Sequence, residues 1–122
     1  MLGWLIVVSG PDQGQAFEIE GRAPFLIGRG AATATQLADR SVSRTHCRID
    51  FERGILRLID LDSKGGTFVN GQRITQHELR EGDTIRVGGT ELCFQRDPAE
   101  IATTPGRSDR TSVRPAQDEP ES

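Results

Sequence analysis

Positive charge is in short supply: 15 lysines and arginines face 18 acidic residues, for a formal net charge of -3. A nucleic-acid binder resting on bulk positive charge is therefore excluded, and any anion site must be local. Cysteine is scarcer still. Cys47 and Cys93 stand alone, with no CxxC spacing and no histidine cluster, so neither a zinc site nor a disulfide framework is indicated. A reduced, cytoplasmic setting fits that usage. No apolar stretch is long enough to span a bilayer. The opening MLGWLIVVSG lacks a basic flank and a small-residue cleavage site, so it reads as a strand, and no membrane association is expected. An amphipathic helical repeat is also missing. Residues 30–38, GAATATQLA, could form a helical turn by composition, but Thr33 and Thr35 are β-branched and the segment reads as a loop.

Turn signals are abundant instead. Gly54 separates Cys47 to Phe51 from Ile55 to Asp60, Asn70-Gly71 separates Thr67 to Val69 from Arg73-Ile74, and Gly88-Gly89 separates Ile85 to Val87 from Glu91 to Gln95. Asn-Gly and Gly-Gly supply the positive φ of tight hairpins, so these segments are expected to pair antiparallel. Further strands are predicted at Trp4 to Val8, Ala16 to Ile19 and Phe25 to Ile27. Many short strands without a long helix predict an all-β fold, a sandwich or a barrel. Composition shifts after about Arg96: residues 97–122 hold no aromatic residue and only Ile101 and Val113 as large aliphatics. Such a segment buries too little apolar area to offset its ordering entropy, so one domain is expected at 1–96 and a disordered tail at 97–122.

Three polar groups punctuate the predicted strands: Ile27-Gly28-Arg29-Gly30, Ser43-Arg44-Thr45-His46 and Thr67-Phe68-Val69-Asn70-Gly71. They place a cation, a hydroxyl and a second cation on loops. Arginine presents a planar fork of donors suited to a phosphate dianion, and serine adds a neutral donor at short range. Neither removes a proton at pH 7, so the set recognises phosphate more readily than it catalyses. His46 neighbours Cys47, yet adjacent strand residues point to opposite faces, which argues against a Cys-His dyad. Cys47, Ile49 and Phe51 share the parity expected of the core, and His77 is expected at the surface. Asp60, Asp62 and Asp83 lack the dense ligand spacing of a calcium loop. Loop hydrogen bonding is their expected role, with no metal and no cofactor. GPDQG at 10–14 is not followed by Lys-Ser or Lys-Thr, so it lacks the chemistry of a nucleotide-binding phosphate loop.

In order along the chain, IGRG at 27–30, LADRSVSRTHCRI at 37–49, LIDLDSKGGTFVNGQRI at 58–74 and LREGDTIRVGG at 79–89 resemble a forkhead-associated (FHA) domain. The resemblance covers roughly residues 5–95. It implies a two-sheet antiparallel β-sandwich (FHA/SMAD-like) that reads phosphothreonine in a partner protein and has no catalysis of its own. It implies that Arg29 and Ser43 contact the phosphate. Arg44 would add a second charge-assisted bond, or equally point to solvent or pair with Asp39. Gly28, His46, Thr67, Asn70 and Gly71 are the supporting set: His46 would bond loop backbone, and Asn70 would be either a buried amide tying neighbouring loops together or simply the first residue of a type I′ turn that tolerates positive φ. Charge-assisted bonds of roughly 1.5 to 3 kcal/mol each, less association costs, suit a micromolar, reversible reader. The implied partner is a Thr-phosphorylated protein, the substrate of a Ser/Thr kinase.

The chain departs from the family pattern at Ser63-Lys64-Gly65-Gly66-Thr67. Gly65 stands where the family has an asparagine that grips the backbone of the bound peptide. Lys64 stands where small hydroxyl residues are common, and could offer an ammonium to the phosphate or to an acidic peptide residue. The loss at Gly65 leaves an alternative open, a phospho-independent assembly domain that docks through its outer sheet face. In the tail, Thr103 and Thr104-Pro105 offer a further ligand: a phosphorylated tail captured by the domain itself or by a neighbouring copy.

Overall fold

The computed structural model describes residues 2–21 and 23–97. Apart from Asp97, the expected tail with Thr103 and Thr104 lies outside the described residues. The strands are β1 (Gly3–Ser9), β2 (Ala16–Ile19), β3 (Phe25–Ile27), β4 (Cys47–Glu52), β5 (Ile55–Asp60), β6 (Thr67–Val69), β7 (Gln72–Ile74), β8 (Gln76–Glu78), β9 (Thr84–Val87) and β10 (Thr90–Arg96). They form two antiparallel sheets, one of six strands in the order β2-β1-β10-β9-β6-β7 and one of four in the order β3-β4-β5-β8. The turn spacing left a sandwich or a barrel open, and the two-sheet sandwich that the resemblance implies is the fold observed.

Period-two alternation builds the core. Leu5 and Val7 of β1 face Phe94 and Leu92 of β10 across the larger sheet, and Ile49 of β4 faces Leu58 of β5 in the smaller. All of these side chains are buried. Cross-strand pairs of large apolar residues stabilise a sheet and fix its register, since a slip of one residue would turn them all to solvent.

Two expectations fail at the margins. Phe51 has core parity but is 37% exposed, because it lies one residue from the end of β4, next to the turn at Arg53 and Gly54 where the chain leaves the sheet. The connection after Ile74 contains a strand that composition concealed. Gln76, His77 and Glu78 are polar, but β8 pairs with Ile59, Leu58 and Arg57 of β5 at the sheet edge. Pairing, not propensity, decides that segment. His77 is consequently half-buried, with Nε2 2.9 Å from Asp83 Oδ2, and is not a plain surface residue.

The two ends of the sandwich differ in what they carry. At one end, the β9–β10 turn touches the loop before β4, through bonds from Gly89 and Thr90 to Asp39. At the other end, Arg96 bonds Gly54 in the β4–β5 turn, and the chain runs on to Asp97.

Candidate functional site

The 19 residues 28–46 join β3 to β4 without a regular element. A connection that long inside a small domain must be held by its own contacts. Gly28 is the first fixed point: its carbonyl accepts from Leu37 N (2.8 Å) and Thr35 Oγ1 (2.8 Å), and its N–H donates to Thr35 Oγ1 (3.0 Å). Leu37 and Val42 are buried in the core and pin the loop at two apolar points. Gly28 also permits a close backbone approach, since a Cβ there would lie 2.1 Å from the Arg44 carbonyl oxygen. That approach lets Arg29 N–H donate to Ser43 O (3.3 Å) and Gly30 N–H to Arg44 O (3.0 Å), which lays Arg29 alongside Ser43.

Each of the two residues is then oriented. Arg29 donates its Nε–H to the Val42 carbonyl at 2.7 Å. The bond immobilises the guanidinium and leaves its two terminal nitrogens for a ligand. Ser43 Oγ accepts the Lys64 N–H at 3.0 Å. A hydroxyl whose accepting side is engaged keeps its hydrogen for donation.

Beneath them, His46 is fully buried. Its Nδ1 accepts the Ser43 N–H at 3.0 Å, so the ring hydrogen sits on Nε2 and is donated to the Gly66 carbonyl at 2.8 Å. One imidazole thereby joins the loop before β4 to the loop before β6. Asp60 braces the second loop from the other side, accepting from Thr67 Oγ1 (2.7 Å), Ser63 N (3.3 Å) and the Ser63 hydroxyl. Burial raises the Asp60 carboxyl, but the Ser63 and Thr67 hydrogen bonds outweigh it and hold the group below the ordinary 3.8. Cys47, under the same loops, has its thiol pushed up to about 12 by burial. It is protonated at neutral pH and a poor nucleophile.

Arg29, Arg40, Ser41, Val42, Ser43, Arg44, Thr45, Lys64 and Gly65 line an open groove of ≈ 630 Å³. The structure thus brings Arg29, Ser43, Arg44, Lys64 and Gly65 together, with Gly28, His46 and Thr67 packed below. Asn70 and Gly71 are elsewhere. They turn at the far end of β6 from the groove loops, with φ of 51° and 86°. Asn70 is exposed, not buried. Its amide donates to Asp83 Oδ1 (2.9 Å) and accepts from Thr84 N (3.0 Å), so the loop it supports is the one before β9 and not the one beside Arg29. Nor does Asp39 pair with Arg44. Its oxygens take Ser41, Gly89 and Thr90. Arg40 is the groove cation that sequence reasoning missed; its only signal was its place between Asp39 and the Ser43 segment.

The family model for the FHA domain matches residues 25–88. The chain belongs to the FHA family. It is 39% identical over 67 residues to the FHA domain-containing protein FhaA of Mycobacterium tuberculosis, which is 55% of this chain and 13% of that protein. It is 31% identical over 96 residues to the oxoglutarate dehydrogenase inhibitor of Corynebacterium diphtheriae, 79% of this chain and 66% of that protein. The chain therefore spans less than two thirds of these relatives' own length. Among solved structures, an FHA domain from an analysis of phosphothreonine-dependent interactions superposes with a TM-score of 0.73 at 30% identity, covering 80% of this chain and 99% of that one. The FhaA FHA domain in complex with an intracellular domain gives 0.69 at 30%, covering 76% and 99%. Among the described residues, no helix is long and apolar enough to cross a membrane.

Proposed function

We propose that this FHA domain binds a phosphothreonine-containing segment of a partner protein, as a reversible adaptor in Ser/Thr kinase signalling. The observation that carries the reading is the pairing of Arg29 with Ser43: a guanidinium anchored through Nε alone, beside a hydroxyl whose acceptor side is already filled. Both present only donors to the groove, which suits the acceptor oxygens of a phosphate. Lys64 and Arg44 flank them with further positive charge.

Recognition without catalysis is the reading the local chemistry favours. Both His46 nitrogens are committed to backbone groups, and the Cys47 thiol stays protonated. A cytoplasmic encounter is part of this reading, because the kinase that writes such a mark draws on ATP. Calorimetric titration of a phosphothreonine peptide into the wild type and Arg29→Ala tests this directly. Micromolar binding is expected for the wild type, with a loss of at least about tenfold in the variant. Equal binding by both proteins, or by the unphosphorylated peptide, would overturn it in favour of a phospho-independent docking domain.

A further inference from the structure

Arg40 stands between two depressions. It lines the groove of ≈ 630 Å³ with Arg29, Ser43 and Lys64, and it lines a neighbouring hollow of ≈ 500 Å³ with Arg29, Leu37 and Ala38. Its placement is fixed from below. The Asp39 carbonyl accepts the Val42 N–H at 3.1 Å, closing a turn in which Arg40 is the second residue. Ser41 N–H (2.9 Å) and hydroxyl (2.6 Å) reach Asp39 Oδ1, while Gly89 N–H (2.9 Å) and the Thr90 hydroxyl (2.9 Å) reach Oδ2. The turn is thereby fastened to the β9–β10 connection, and the backbone of Arg40 has little freedom left to lose on binding.

The same four bonds decide the electrostatics. Asp39 is the acidic residue nearest Arg40 in sequence, and its oxygens are occupied by neutral donors and not by a guanidinium. The Arg40 side chain is exposed and makes no hydrogen bond or ion pair with another described residue. Arg29, Arg40, Arg44 and Lys64 thus bring four positive charges to a groove that no acidic residue lines, on a chain whose net charge is -3. One phosphothreonine supplies close to two negative charges. Held by Arg29 and Ser43, it leaves positive charge unanswered on the Arg40 side.

We propose that Arg40 forms a second anion subsite beside the one at Arg29 and Ser43, and that it takes a second negative group on the same peptide. This rests on the phosphothreonine reading above and narrows it. The ligand is a phosphothreonine segment with an acidic side chain or a second phosphate close by in sequence, because Arg29 belongs to both depressions. Arg40 discriminates among phosphopeptides and Arg29 anchors them.

Three peptides measured by calorimetry at about 0.1 M salt test the inference: one phosphothreonine with neutral flanks, the same with acidic flanks, and a doubly phosphorylated version. The wild type is expected to bind the last two about fivefold tighter than the first, the scale of a partly screened charge pair. Arg40→Ala should bring all three to within about twofold, costing the neutral-flank peptide less than the other two, and Arg40→Glu should reverse the order. The ratio between the carboxylate and phosphate arms names the source of the second anion. No preference in the wild type, or a preference that survives both variants, would overturn the Arg40 subsite alone. Failure of every phosphopeptide to bind would overturn the phosphothreonine reading on which it rests.

Discussion

Ser43 and His46 hold each other: the Ser43 N–H donates to His46 Nδ1 at 3.0 Å, so the residue that turns its hydroxyl to the groove is fixed through its backbone by a fully buried ring. Replacing His46 by Ala would leave two backbone groups, Ser43 N–H and the Gly66 carbonyl, without their partner and open a cavity between two loops. An unsatisfied buried group costs about 1 to 3 kcal/mol. His46→Ala is therefore expected to lose about 2 to 5 kcal/mol of stability in urea denaturation, with phosphopeptide affinity falling as well. A variant as stable as the wild type would show that the two loops are held by something other than the imidazole.

Acid should weaken the fold through its loop carboxylates. Asp60 and Asp83 are both raised by burial, and both are brought below 3.8 by stronger opposing effects: the Ser63 and Thr67 hydrogen bonds at Asp60, and those of Arg80 N–H, His77 and Asn70 at Asp83. A carboxyl with a depressed folded-state pKa contributes stability that is present above its unfolded value and lost as pH falls through the folded one. Unfolding free energy is thus expected to be level above about pH 4 and to decline below it. Asp60→Asn should be less stable at pH 7 and should show a shallower acid decline when urea midpoints at pH 7 and pH 3 are compared. An unchanged decline in that variant would remove Asp60 from the account.

The strands were legible because their signals are local. Ala16–Ile19, Phe25–Ile27, Ile55–Asp60 and Thr67–Val69 are short runs rich in apolar residues and bounded by turn formers, and they occur where those signals place them. Gln76–Glu78 carries no such pattern, and only its pairing with β5 makes it a strand. The groove divides the same way. Arg29 and Ser43 were visible through short motifs, whereas Arg40 acquires meaning from the four bonds at Asp39, two of which come from residues 50 and 51 positions later in the chain. Asn70 divides as well: the turn that Asn-Gly signals is present, but the pair does not say which neighbours it meets, and its amide reaches Asp83 and Thr84.

The sandwich also constrains how a phosphorylated tail would be captured. β10 begins at the groove end, where Thr90 bonds Asp39, and runs seven residues to Arg96 at the other, a distance of roughly 20 Å at the usual strand rise. Thr104 is eight residues beyond Arg96, a reach of at most roughly 28 Å when fully extended. A straight return would use roughly 20 Å of that reach and leave little for a path around the sheet, so capture by a second copy is the arrangement to test. A chain phosphorylated at Thr104 is expected to show concentration-dependent association in light scattering, abolished by Thr104→Ala and by Arg29→Ala. A monomer at all concentrations after stoichiometric phosphorylation would count against it.

Gly65 is where affinity can be regained. The FHA family pattern has an asparagine at this position, whose side chain grips the peptide backbone. Gly65 is exposed on the groove, its φ lies outside the left-handed region, and a Cβ built there meets nothing within 4 Å. The backbone therefore accepts a side chain without strain, and the missing amide is a matter of sequence and not of shape. Gly65→Asn is expected to restore up to two hydrogen bonds to the bound peptide, each worth about 1 kcal/mol net. Phosphothreonine-peptide affinity should then rise about five- to tenfold, with thermal stability nearly unchanged. The gain should vanish in the Arg29→Ala, Gly65→Asn double variant, because a backbone grip counts only when the phosphate has first placed the peptide. An affinity gain that persists without Arg29 would mean that the peptide is held elsewhere on the domain.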